Sequence, residues 1–215
     1  MLAAALAAGG RAGGPSSEDR IEIGDFSAGL DRDRVPIGWE LDEKKKPVSI
    51  RLHQEGEDTV VHFVSENSAF GLVKRLNFDI REYPYLNWEW KAVRLPEGGD
   101  FRRKKTDDQA GQVYVVFGGF KLTARAVGYY WENKAPIGTE GVTPTWGRSR
   151  AIVLQSGEER LGEWVREKRN VYEDYVRLFN DKKPANVRAI RLYINSQQTG
   201  SSAEILYRNI YFSRQ

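Results

Sequence analysis

Hydrophobic and polar positions alternate along most of this chain. The clearest case runs from Tyr83 to Lys91, where Leu86, Trp88 and Trp90 fall on one face of a strand and Asn87, Glu89 and Lys91 on the other. A polar loop follows, carrying Gly98-Gly99-Asp100, Arg102 to Lys105 and Asp107-Asp108, and Val113 to Phe117 then reads as an almost wholly apolar strand. Upstream, Ile21 to Ile23 and Gly38 to Leu41 predict short entry strands. Val48 to Gln54 and Thr59 to Ser65 predict a hairpin about Glu55-Gly56-Glu57-Asp58, with Ala69 to Leu76 continuing the meander. Downstream, Leu122 to Trp131, Ala151 to Leu154, Val165 to Val171, Val187 to Asn195 and Glu204 to Phe212 complete about ten to twelve strands.

One stretch departs from this period. Tyr172, Tyr175, Val176 and Phe179 fit a helical spacing, so a short helix is expected from Tyr172 to Phe179, with Asn170 as N-cap, Glu173 completing the capping box and Asn180 ending it. The fold class is therefore all-β: an antiparallel two-layer sandwich of jelly-roll type with one short helix in the C-terminal third.

Composition narrows the chemistry. A chain of 215 residues suits one β domain, here residues 19–215, and the absence of cysteine excludes disulfides, thiolate metal sites and cysteine nucleophiles. Thirty-three basic and 30 acidic residues are intermixed to give a net charge of +3, which is not the one-sided field of a nucleic-acid binder. Residues 1–18, rich in Ala and Gly, read as a signal-peptide-like or disordered leader too short to span a bilayer. Export to the periplasm or exterior is expected, with a mature start between Gly13 and Glu18. No later segment is a transmembrane candidate, no Gly-rich loop opens a helix, and no nucleophile elbow is present.

A set of short motifs carries a resemblance. Gly38 to Leu41, Leu86 to Lys91, Asp107 to Ala110, Val113 to Phe117, Tyr130-Trp131, Ser156-Gly157, Leu161 to Trp164, Arg169 to Val171, Asp174-Tyr175 and Asn195 to Thr199 together resemble the bacterial family named domain of unknown function 3047. The resemblance runs from about residue 20 to residue 213. It implies a secreted or envelope-associated jelly-roll sandwich similar to galactose-binding-like and carbohydrate-binding modules, with no established catalytic residues. Asn195 to Thr199 stands where the family commonly has an acidic Asp-x-Asp-x-Thr run, which removes the carboxylates that a metal role for this loop would use.

Candidate site residues come from the loops. Trp88 and Trp90 read as core, whereas Trp131 and Trp146, beside polar and turn residues, are assigned to stacking on a sugar ring, with Asn133, Asp107 and Asp108 meeting its hydroxyls. The same aspartates admit other roles. They either bond their own loop and balance Arg102 to Lys105, or join Asp100 around calcium, or act as acid and base with Glu89 or Glu132. His62 reads as a structural histidine and Arg169–Asp174 as an ion pair pinning the helix. The leading functional reading is non-catalytic glycan binding without a cofactor; a glycan-cleaving hydrolase or lyase, and an envelope scaffold protein, are the alternatives.

Overall fold

A computed structural model describes residues 19–119, 124–144 and 148–215. Among the described residues, thirteen strands form two sheets around one main core. The first sheet has the order β11 (Val165–Asn170), β6 (Tyr85–Arg94), β13 (Ser202–Ser213), β4 (Asp58–Glu66) and β3 (Ile50–Glu55), with β1 (Arg20–Glu22) added to β13. The second has seven strands: β2 (Glu40–Lys45), β5 (Ala69–Phe78), β12 (Val187–Asn195), β7 (Gly111–Phe117), β8 (Arg125–Glu132), β10 (Ser149–Ser156) and β9 (Glu140–Val142). This is the jelly-roll sandwich that the alternation predicts.

The inner faces make the core. Leu86, Trp88, Trp90, Phe63 and Ile205 from one sheet meet Phe70, Leu72, Val113, Tyr129 and Ile190 from the other, all essentially without exposed surface. Trp88 and Trp90 pack edge to face and extend across the interface to Tyr129 and Trp131. The helix α1 (Val171–Phe179) closes one part of this core through Val171 and Tyr175. Its caps match the sequence pattern, since Asn170 accepts a hydrogen bond from the Glu173 amide and Asn180 adopts a left-handed conformation. Arg169 joins Asp174 at 2.7 Å, as expected of the helix pin.

Two connections differ from the expected meander. β5 does not continue from β4 but crosses to the other sheet through Asn67-Ser68, where Asn67 has φ +46° and the buried Ser65, Ser68 and Ser196 hydroxyls bond together. Strand pairing is also not antiparallel throughout: β8 and β10 run parallel, because the segment Glu140–Val142 runs back antiparallel to both before β10 begins. β9, which pairs with β10 on that return, has no counterpart in the sequence prediction; its three residues are too few to show a period.

Candidate functional site

Alternation in the seven-stranded sheet leaves a second set of side chains on its outer face. Strand register arranges them in transverse rows. Asp42, Gly71, Tyr193, Gln112 and Tyr130 face one another across β2, β5, β12, β7 and β8, and the next row runs Glu40, Val73, Arg191, Tyr114, Gly128. Glycine is required at two of these places. A Cβ on Gly71 would lie 2.7 Å from the Tyr193 ring, and one on Gly128 would lie 2.8 Å from the Tyr114 ring, so both tyrosines rest directly on the sheet.

The loop between β6 and β7 folds back over part of this face. Phe101 packs edge to face on Tyr130 and sits with Ala126, Ala135, Ala151 and Val153 in a second apolar cluster. Glu132 fixes the fold-back: its carboxylate accepts from the Phe101, Asn133, Lys134 and Ala135 amides and from Gln109 Nε2. Beyond the loop, the part of the face over β2, β5, β12 and β7 remains open as a groove of about 720 Å³.

The groove floor is polar and hydrogen-bonded. Asn195 Oδ1 accepts from the Gln109 amide at 3.0 Å and from Gln112 Nε2 at 2.6 Å, while the Tyr114 hydroxyl donates to Gln112 Oε1 and contacts Tyr130 Oη, both at 2.6 Å. Burial raises the Tyr114 phenol well above its ordinary value and pushes Tyr193 up to about 12, so both are hydrogen-bonding phenols near neutrality and not bases. Arg191 lies over Tyr193, 3.6 Å from the ring centroid, and its Nε donates to Asp42 at 2.6 Å. Around it the groove is lined by Lys44, Arg75, Arg188 and Asp107. The floor is therefore a fixed, internally bonded base, and the groups presented above it are the Arg191 guanidinium plane and the charged side chains of the lining, which can meet hydroxyls and carboxylates.

The sequence-predicted residues divide. The Asp107 loop and the turn after Trp131 do converge, since Gln109 Nε2 lies 3.2 Å from both Asp107 Oδ1 and Glu132 Oε1, and Asp107 lines the groove. Trp131 is a correction: it sits at the inward-facing end of β8 with no exposed surface, so neither ring face can stack on a ligand. Asn133 donates to Pro96 O and holds the loop. Asp108 is fully buried, with its carboxylate taken by the Gln198 and Thr199 amides and the Thr199 hydroxyl. Trp146 lies outside the described residues.

The alternative roles fare similarly. Asp100 balances the basic run, through Arg102 at 2.8 Å. With Asp100 and Asp108 so engaged, the calcium set of Asp100, Asp107 and Asp108 is not assembled. No group of three or more His, Asp or Glu is placed to hold a metal among the described residues. Glu89 lies on the other sheet, paired with Arg166 and Arg208, far in the fold from Asp107. Asp107 and Glu132 are close, yet the Glu132 carboxylate is enclosed by five donors and presents nothing to the groove. His62 bonds Glu204 at 2.9 Å.

Sequence reasoning passed over Arg191, Tyr193, Gln112 and Tyr114. Their signal was the polar member of each alternating pair, hidden because tyrosine also counts as apolar.

These observations define a jelly-roll sandwich with a polar groove on one sheet. The chain belongs to the family described as "Protein of unknown function (DUF3047)", whose model matches residues 38–211. A search of curated proteins found no match. Among solved structures, the chain is similar to the xyloglucanase domain of NopAA from Sinorhizobium fredii, at 11% identity and TM-score 0.46, covering 86% of this chain and 95% of that one. It is also similar to the family 30 carbohydrate-binding module of a Clostridium thermocellum cellulase, at 9% and 0.47, covering 83% and 92%. The enzymatically active domain of bacteriophage CBA120 tailspike protein 4 matches at 13% and 0.44, covering 88% of this chain but only 21% of that one. At such identities and TM-scores, neither ligand nor activity carries over. No helix of the described residues is long and apolar enough to cross a membrane.

Proposed function

We propose that this protein binds glycan non-covalently in the groove on the outer face of the seven-stranded sheet. The observation that supports this reading is the rigid polar floor. Gln109, Gln112, Asn195, Tyr114 and Tyr130 hold one another in a single arrangement on paired strands, and the groove above them is open. A floor already ordered loses little conformational entropy on binding, and sugar hydroxyls need several directional partners at once, which Asp42, Arg75 and Arg191 on the lining supply. Recognition then rests on hydrogen bonds and the Arg191 guanidinium. It does not rest on open aromatic platforms, because Tyr114 and Tyr193 are each only 5% exposed.

Export through the Ala-rich leader would place the groove where polysaccharide is found, at the envelope or outside the cell. The test is a polysaccharide array probed with labelled wild type and Arg191→Ala, followed by product analysis of any ligand recovered. Binding lost in the variant, with the ligand chain length unchanged, is the expected result. Shortened chains would turn the reading to catalysis, and no binding to any polysaccharide would end it.

A further inference from the structure

The charges lining the groove are not balanced. Four of its residues, Lys44, Arg75, Arg188 and Arg191, are cationic and two, Asp42 and Asp107, are anionic. Asp42 neutralises Arg191, and Arg75 is held by Glu40 at 2.9 Å. Among the described residues, Arg188 bonds only the neutral amide of Asn77, and Lys44 has no carboxylate within ion-pair distance. Both side chains are exposed.

Their places in the sheet matter. Arg188 stands at the bulge between Val187 and Ala189, near the β12 residues opposite Arg75 and Phe78. Lys44 lies between Glu43 and Lys45, which pair with Phe70 and Ala69, and these in turn face Ile194 and Asn195. About six residues of strand separate the two levels, roughly 20 Å at about 3.3 Å per residue. Arg191 sits between them. A guanidinium stacked on a ring and braced by a carboxylate keeps its outer edge fixed, which suits paired hydrogen bonding to a planar anion. Cations at both ends of a groove raise its potential along its length, and the effect is felt by a ligand charged at repeated positions.

From this geometry we infer that the groove's ligand is an acidic polysaccharide, a glycan carrying uronate carboxylates on successive units. The inference rests on the glycan reading and narrows it. Asp42 and Arg75 on the groove lining meet the hydroxyls, while Arg191 and the flanking Lys44 and Arg188 receive the carboxylates.

The test compares polygalacturonate and alginate with their carboxyl-reduced neutral forms, and includes dextran sulfate as a measure of charge alone, by calorimetry at fixed salt. One uronate polymer should bind at least tenfold more tightly than its reduced form and more tightly than dextran sulfate. In the double variant Lys44→Gln, Arg188→Gln, that ratio should fall several-fold towards one, with the melting temperature as in wild type, since both side chains are exposed and without carboxylate partners. Equal affinity for charged and reduced forms would overturn the acidic-ligand inference and leave the glycan reading standing. Dextran sulfate binding as well as the uronates would overturn it too. No binding of any polysaccharide, here or on the array, would overturn both.

Discussion

Trp131 decides between a binding site at the end of the sandwich and one on its sheet face. Truncating it to alanine removes a ring with no exposed surface, packed 5.6 Å from Trp90 at 64°. A buried tryptophan removes on the order of 200 Å² from water, and at about 25 cal/mol per Å² the loss approaches 5 kcal/mol before relaxation. One term opposes this. The Trp131 indole N–H has no hydrogen-bond partner, so deleting it relieves a buried, unsatisfied donor worth about 1–3 kcal/mol. The net cost should be about 3 kcal/mol, at the lower end of the range for Trp→Ala in cores. Trp131→Phe, which keeps most of the ring and also drops the donor, should cost about 1 kcal/mol.

The assay pairs urea denaturation with glycan affinity, and Arg191→Ala is the counterpart. That substitution removes an ion pair whose Asp42 side chain is 39% exposed, so its stability cost should stay within about 1 kcal/mol, yet binding should fall at least tenfold. Trp131→Ala should show the reverse: a large loss of stability, and unchanged affinity in the folded fraction. A Trp131→Ala variant of near wild-type stability that has lost binding would refute the core placement and move the site back to the loops.

Three further outcomes follow from the structure. Gly128→Ala drives a Cβ to 2.8 Å from the Tyr114 ring and 3.1 Å from Tyr130; it should cost about 1–3 kcal/mol and weaken groove binding, as urea midpoints and calorimetry would show. Asp108→Asn removes the charge on which the Gln198 and Thr199 amides converge and should cost about 1.5–3 kcal/mol by thermal melting, with affinity preserved. Burial works to raise the Glu55 carboxyl, but hydrogen bonds from Lys91, Trp164 and His53 bring it down to about 2 from an ordinary 4.5. A depressed folded pKa stabilises above the unfolded value, so this contribution is complete above pH 4.5 and is lost as pH falls towards 2; urea midpoints of wild type and Glu55→Gln should converge over that window, and parallel curves would refute the assignment.

Much of the fold was legible because its signal is local. The Leu86, Trp88, Trp90 alternation, the hairpin about Gly56 and the Asn170–Glu173 cap each lie within a few residues, where side-chain period and turn chemistry act directly. The crossing of β5 was not legible. Val60, Val61 and Phe63 in β4 and Ala69, Phe70 and Leu72 in β5 are apolar alike, and nothing in that pattern says which sheet a strand joins. Trp131 misled for a related reason. It lies one residue from the end of β8, and a terminal strand residue reads as loop unless its inward parity with Val127 and Tyr129 is known.

The groove's charge was beyond local reading altogether. Along the chain Lys44 opens a run of three lysines after Glu43, Arg75 follows Lys74, and Arg188 and Arg191 stand singly in a strand; each looks like a solvated surface residue, and the total charge of +3 gives no warning. Only pairing β2 with β5, and β5 with β12, brings all four to one face, and it does so while sending Lys74 to Ile23 O on the opposite side. Parity thus selects which cations share a field, and a one-residue slip of β12 would replace Arg191, Tyr193 and Asn195 on that face with Ile190, Leu192 and Ile194. The same core that burial enforces on Ile190, Leu192 and Ile194 therefore holds the groove in register, so stability and recognition depend on one strand through its two faces.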